Sequence, residues 1–223
     1  MRQRVYRNFN LCDEAKLTMW PVAPMSRPNN KRTLEPTKTI PICMKHTCHY
    51  AAEDAHNLAK EGNAMTIKVG DKLPDVKLVK ATAEGPQPVQ SSDYFAGRKV
   101  ALFSVPGAFT PTCSARHLPG FVEKADDLAA KGIDEIACTA VNDAFVLGAW
   151  NKSGGSEAIT MLADGNGDFA AALGLEMDGT AFGMGKRGQR FSLVVNDGVV
   201  EQVNVEAPGD FNVSSAEHML GQL

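Results

Sequence analysis

One thiol stands out by its surroundings. Cys113 follows Thr110-Pro111-Thr112, and beyond it Leu118, Phe121, Val122, Ala125, Leu128 and Ala129 recur at helical spacing. Thr is a favoured N-cap, and Pro suits the first helical position, where its missing N–H has no intrahelical partner to lose. The spacing predicts a helix with Thr110 at the cap, Pro111 first and Cys113 two residues further in. A thiol there lies among unpaired backbone N–H groups at the positive end of the helix dipole. Such a setting favours the thiolate, the nucleophilic form of cysteine. A free cysteine in an α/β domain is more often a small buried hydrophobe; the helix-start context points Cys113 toward chemistry instead. That chemistry also demands that a solvent-borne substrate reach the sulfur.

The elements that must hold this thiol can be traced in order. Val100–Val105 is an apolar run that reads as a buried strand, and Pro106-Gly107-Ala108-Phe109 is the turn leading to the helix. Upstream, Asp75–Lys80 predicts a short strand, Gly85–Pro88 a turn, and Ser91–Phe95 one helical turn closed by Gly97. Downstream, Ile136–Val141 carries no charge on either face, as a strand of a parallel sheet would. Asn142-Asp143 caps a helix through about Trp150. Ala158–Leu162 predicts a third strand, Asp168–Leu173 a short helix and Phe182–Gly188 a glycine-rich basic loop. Two strands, Arg190–Val195 and Val199–Val205, flank Asn196-Asp197-Gly198, a strong hairpin signal. Ser214 or Ser215 caps a last helix that stops at Gly221. Alternating strands and helices followed by a hairpin and a helix predict an α/β thioredoxin-like fold, a mixed central sheet flanked by helices.

The 223 residues divide unevenly. Residues 1–64 hold repeated Pro and Gly-Asn breakers and no sustained period, and predict an irregular or disordered extension or a mis-assigned start, since Met65 opens a natural beginning, MTIKVGDKLPD. Residues 65–223 form the predicted domain. The first part carries ten Lys and Arg against six Asp and Glu, the second thirteen against twenty. An acidic domain without a basic stripe argues against a nucleic-acid partner. No run approaches the ~18 apolar residues of a membrane span. Five irregularly spaced cysteines fit a reducing compartment better than a disulfide framework. Arg2, Arg4 and Arg7 hint at targeting, but scarce Ser and the early Asp13 and Glu14 suit a transit peptide poorly, and a cytoplasmic protein is expected. Cys43, His46, Cys48 and His49 are a possible ligand cluster whose spacing matches no specific zinc pattern; no metal is expected.

PGAFTPTC followed by HLPGF, with VNDAF at 141–145, RFSLVVNDG at 190–198 and NVE at 204–206, resembles the type II, or peroxiredoxin-five-like, branch of the peroxiredoxins, and within it the glutathione-dependent bacterial and plant-like members. The likeness spans residues 66–223. It implies a peroxidase in which Cys113 is the peroxidatic cysteine, attacking hydrogen peroxide or an organic hydroperoxide and becoming a sulfenic acid. Thr110 would direct its hydroxyl at sulfur and substrate, and the backbone N–H groups of Thr112 and Cys113 would face the same pocket. Pro106 would shield the sulfur from water, and Arg190 would donate to sulfur and peroxide together. Plainer roles exist: Thr110 as a cap alone, Pro106 as a turn former, Arg190 as a strand-end charge. His117, one turn beyond Cys113, reads as a satisfied structural histidine rather than half of a Cys–His dyad.

Relatives with an internal disulfide carry a second cysteine in the loop after the last strand; here Pro208–Ser214 has none. Cys138 stands where plant members also have a cysteine, and a resolving role weighs against that of a buried strand thiol, the favoured reading. The resemblance then implies an external reductant: glutathione as co-substrate, with or without glutaredoxin, or alternatively thioredoxin, with no bound cofactor. It also implies a homodimer. A non-catalytic binding or holdase domain would not need Thr110 and Arg190 around Cys113. A cysteine hydrolase would need a histidine base, for which only His117 and His218 are available in the domain. A dithiol oxidoreductase would need Cys-x-x-Cys, which is absent from the sequence.

Overall fold

Strand β3, Lys99–Ser104, runs through the middle of a seven-stranded sheet and delivers the chain to Cys113. The computed structural model describes residues 66–223; the Cys43–His49 cluster and the rest of the N-terminal segment lie outside the described residues. In chain order come β1 (Lys77–Thr82), β2 (Gly85–Gln90), α1 (Ser91–Phe95), β3, a π-helical turn (Cys113–His117), α2 (Leu118–Glu123), α3 (Ala125–Ala130), β4 (Glu135–Ala140), α4 (Ala144–Ser153), β5 (Thr160–Ala163), α5 (Asp168–Ala172), β6 (Glu176–Asp178), a 3-10 turn (Thr180–Phe182), β7 (Lys186–Gly188), β8 (Phe191–Asn196), β9 (Val199–Val205) and α6 (Ala216–Gln222). The sheet order is β2-β1-β5-β4-β3-β8-β9. The pairs β3–β4 and β4–β5 are parallel and the remaining pairs antiparallel. This is the expected thioredoxin-like α/β fold.

Alternation along β3 builds a core on each face of the sheet. Ala101 and Phe103 face one cluster, with Leu118, Phe121, Leu128, Leu147, Trp150 and Met219 from α2, α3, α4 and α6. Val100 and Leu102 face the other, with Tyr94 and Phe95 of α1 and Phe169 of α5. Cys113 and Cys138 both belong to the first cluster. Asp143 caps α4 as expected, accepting from Val146 N at 2.8 Å, and Ser215 caps α6, accepting from His218 N at 3.2 Å. The 196–198 hairpin places both Asp197 and Gly198 at positive φ, 48° and 75°, as its tight turn requires.

Three local expectations are corrected. Gly85–Pro88 is not a turn but part of β2, paired with β1 from Lys77↔Gln90 to Thr82↔Gly85. Pro86 and Pro88 are two residues apart, so both lack their N–H on the same side, the outer edge of the sheet, where no ladder bond is lost. The basic loop 182–188 ends in β7, which pairs with β6 as a separate two-stranded ribbon. The helix after Thr110 makes one α-type bond, Ser114 N to Thr110 O at 3.0 Å, and then turns π-helical over Cys113–His117. Leu118 N reaches back five residues to Cys113 O, a π-type bond of the kind frequent at functional sites.

Candidate active site

The β3–β8 register explains how a distant arginine meets the thiol. β8 runs antiparallel to β3 with Ser104 opposite Phe191, so the residue just before β8 lies beside the exit of β3. That residue is Arg190. Its Nη2 donates to Cys113 Sγ at 3.4 Å, and its Nη1 meets His117 Nδ1 at 3.1 Å. The π turn brings Cys113 and His117 to the same buried side, and both are withdrawn from solvent.

His117 is held from every direction. Its Nε2 lies 3.1 Å from Ser214 O, so that nitrogen donates and Nδ1 accepts from Arg190. Phe103, Phe121 and Phe211 surround the ring at 4.8, 5.7 and 4.9 Å between centroids. Burial, reinforced by the Arg190 charge and only partly offset by the Ser214 carbonyl, pushes its pKa down to about 3. His117 is therefore a neutral ring whose free nitrogen faces the guanidinium. It is satisfied, as expected, but one of its partners is the arginine that touches the sulfur.

The loop carrying Ser214 is itself anchored. Glu206 Oε1 accepts from Asn212 N at 2.7 Å, Ser214 N at 2.7 Å and Ser214 Oγ at 2.8 Å. Burial alone would raise the Glu206 pKa, but these donors outweigh it and hold the carboxyl below the usual range. A chain of contacts thus runs from Glu206 through Ser214, His117 and Arg190 to Cys113. Its polar members come from four separate stretches of sequence, and only the NVE motif and the Arg190 register hinted at it.

Thr110 precedes the helix, as the spacing predicts, but its hydroxyl turns back to donate to Gly107 O at 2.9 Å rather than to the sulfur. The preceding Phe109 has φ 60°, a left-handed conformation unusual for a bulky residue, and this kink folds Thr110 toward Gly107. Pro106 and Thr112 are half-buried on the two sides of the same loop, and the N–H groups of Thr112 and Cys113 belong to the first turn of the helix. Cys113 exposes 0% of its surface. The expectation of a sulfur open to its substrate is corrected: the structure instead buries Cys113 completely, within the first core cluster.

Further anchors escaped the sequence reading because they depend on distant partners. Trp150 Nε1 on α4 donates to Ser114 Oγ at 3.0 Å, tying the π turn to the neighbouring helix. Asn142 Oδ1 accepts from Ala108 N at 3.0 Å, and Arg187 Nη1 donates to Val141 O at 2.9 Å. These bonds join the loops after β3 and β4 to the β6–β7 ribbon. Cys138 lies fully buried on β4, opposite Phe103. Burial, with the nearby Cys113 contributing, pushes its thiol well above the ordinary range. Among the described residues no cluster of His, Cys, Asp and Glu has the geometry of a metal site, and no helix is long and apolar enough to cross a membrane.

A mixed thioredoxin-like sheet presenting one buried cysteine against an arginine defines a thiol-based redox domain. The Redoxin family profile matches residues 68–220. Peroxiredoxin-2E, chloroplastic, of Arabidopsis thaliana is 44% identical over 197 residues, covering 86% of this chain and 84% of that protein. Peroxiredoxin-2E-2, chloroplastic, of Oryza sativa is 52% identical over 164 residues, 71% of this chain and 73% of that protein. Among solved structures, reduced Prx3 of Vibrio vulnificus in complex with hydrogen peroxide is 51% identical with a TM-score of 0.68, covering 70% of this chain and 99% of that one. The chain belongs to the Redoxin family and, within it, to the peroxiredoxins, the thiol peroxidases.

Two expectations change on these likenesses. A cytoplasmic protein is no longer the reading, because the rice and Arabidopsis relatives are chloroplastic proteins. The Arabidopsis match covers more of the chain than residues 66–223 supply, so likeness extends into the segment before them, where the motifs had shown none.

Proposed function

We propose that the protein reduces hydrogen peroxide and organic hydroperoxides through Cys113, with glutathione as the reductant, in the manner of the type II, peroxiredoxin-five-like branch. The observation that carries this reading is the Arg190 Nη2 to Cys113 Sγ contact of 3.4 Å. A charged donor on sulfur is strongest when the sulfur is anionic, and the guanidinium carries further N–H donors that can serve a second acceptor. The thiolate attacks the terminal peroxide oxygen and the O–O bond breaks. The other oxygen leaves with a proton as water or alcohol, and Cys113 becomes the sulfenic acid. Arg190 and the N–H groups of Thr112 and Cys113 stabilise the charge as it moves between the two oxygens, the Thr110 hydroxyl joins them on turning from Gly107 O, and Pro106 keeps bulk water from the sulfur.

Reduction takes two glutathiones. The first attacks the sulfenic sulfur, expelling water and forming a mixed disulfide; the second attacks that disulfide, releasing glutathione disulfide and the Cys113 thiolate. No bound cofactor is required. Cys138 stays outside this cycle, since a wholly buried thiol with a raised pKa is a poor nucleophile. Glutaredoxin can serve as the second thiol, and thioredoxin is the competing donor.

A homodimer is part of the proposal. Phe109 on the loop after β3, Phe145 in the first turn of α4 and Phe182 in the 3-10 turn are 56%, 75% and 79% exposed, apolar side chains suited to a second copy. On the strength of the chloroplastic relatives, the plastid is proposed as the place of action. The reading is tested by following peroxide consumption coupled to glutathione reductase or to thioredoxin reductase. Turnover with glutathione supports it; turnover with thioredoxin alone replaces the reductant, and none with either removes the enzyme.

A further inference from the structure

A cleft of about 510 Å³ opens on the outer side of the π turn, between α2 and the loop that leads into α6. Arg116, Pro119 and Glu123 form one wall, Asn212 and Glu217 the other, and Phe211 lies against it. Its size falls in the roughly 300–1,000 Å³ range of small-molecule sites. The lining is unusual in offering one guanidinium and two carboxylates around an aromatic ring. The Arg116 guanidinium stands 4.8 Å from the Phe211 ring centre. The same ring lies 5.7 Å from the Arg190 guanidinium, whose Nη2 touches Cys113 Sγ. One side chain therefore separates the cleft from the reacting sulfur.

We propose that this cleft binds the reductant, a γ-glutamyl tripeptide thiol, with a carboxylate on Arg116 and the α-ammonium between Glu123 and Glu217. The inference rests on the reading of glutathione as the reductant and adds where it binds. A planar guanidinium suits a carboxylate, and the two acids supply the opposite charge that an ammonium needs. An extended tripeptide spans about 10 Å, enough to bind at the outer charges and carry its central thiol past Phe211. Because Cys113 exposes no surface in the closed form, the bound thiol reaches the sulfenic acid as the π turn opens beside the cleft. Arg116, Glu123 and Glu217 are not among the hydrogen-bond partners of Cys113, Thr110 or Arg190, so substrate oxidation and reductant binding are separable.

The test measures kcat/KM for glutathione and, in parallel, for dithiothreitol, which carries neither carboxylate nor ammonium. Arg116→Glu is expected to lower kcat/KM for glutathione about tenfold, the weight of one charge-assisted hydrogen bond, while turnover with dithiothreitol and kcat/KM for peroxide stay as in the wild type. Glu123→Gln with Glu217→Gln is expected to lower the glutathione value alone as well. If the wild type turns over with glutathione and these variants match it within twofold, or lose dithiothreitol turnover equally, the cleft is not the site. If the wild type itself fails with glutathione but works with dithiothreitol, the reductant assignment falls and the cleft with it.

Discussion

Arg190 makes two bonds with one guanidinium: Nη2 to Cys113 Sγ at 3.4 Å and Nη1 to His117 Nδ1 at 3.1 Å. The two contacts fix the plane of the fork, so the group that meets the sulfur is aimed by the histidine one turn away. Arg190→Lys keeps a positive charge but cannot make both bonds. It is expected to lower kcat/KM for hydrogen peroxide about 10²-fold, the scale of losing one aligned donor at a site of developing charge. Stopped-flow oxidation of the reduced protein measures it, and a loss below threefold would show that charge alone suffices.

His117 gives the fold a pH signature. Its pKa is about 3 in the folded protein, against an ordinary value of 6.5. Between these values the unfolded chain takes up a proton that the folded ring refuses. The stabilisation is therefore complete above about pH 6.5 and is lost as pH falls toward 3, at a limiting slope of about 1.4 kcal/mol per unit. Denaturant titrations of wild type and His117→Asn across pH 7 to 4 check this. The variant should be less stable at pH 7, with a flatter descent; parallel curves would mean that the ring protonates in place.

Trp150 pins the π turn through Ser114 at 3.0 Å. Trp150→Phe keeps the aromatic bulk and removes the bond. Stability should fall by about 1 kcal/mol. Alkylation of Cys113 by iodoacetamide, which needs the loop to open, should run several-fold faster than in the wild type. Unchanged alkylation would place the opening elsewhere in the loop.

Cys138→Ser is expected to leave glutathione-driven turnover within twofold of the wild type, because the Cys138 thiol is buried and its pKa raised. Coupled turnover with glutathione reductase reads this directly. A loss matching that of Cys113→Ser would make Cys138 a resolving thiol.

Much of the scaffold was legible in the residues. The charge-free run from Ile136 in β4, the Asn196-Asp197-Gly198 hairpin and the Asp143 cap are local patterns, and local patterns fix local structure. What stayed hidden depends on partners far along the chain. β2 looked like a turn because Pro86 and Pro88 mark breaks unless an edge strand leaves their missing N–H groups unneeded. The π turn follows from the competing reach of Leu118 N to Cys113 O, which no spacing of apolar residues announces. Cys113 was visible from its helix start, and Arg190 from its motif, but the guanidinium's second partner required the aromatic box of Phe103, Phe121 and Phe211. Phe211, close to both Arg116 and Arg190, lay unmarked in a loop read only for its lack of cysteine.

The most direct test follows the sulfur itself. Reduced protein is mixed with one equivalent of hydrogen peroxide in the presence of dimedone, and intact mass and peptide mapping locate the adduct. The account predicts a single dimedone addition on Cys113 in the wild type and in Cys138→Ser, absent in Cys113→Ser, which also fails to consume peroxide. An adduct on another cysteine, or peroxide consumption persisting in Cys113→Ser, would contradict it.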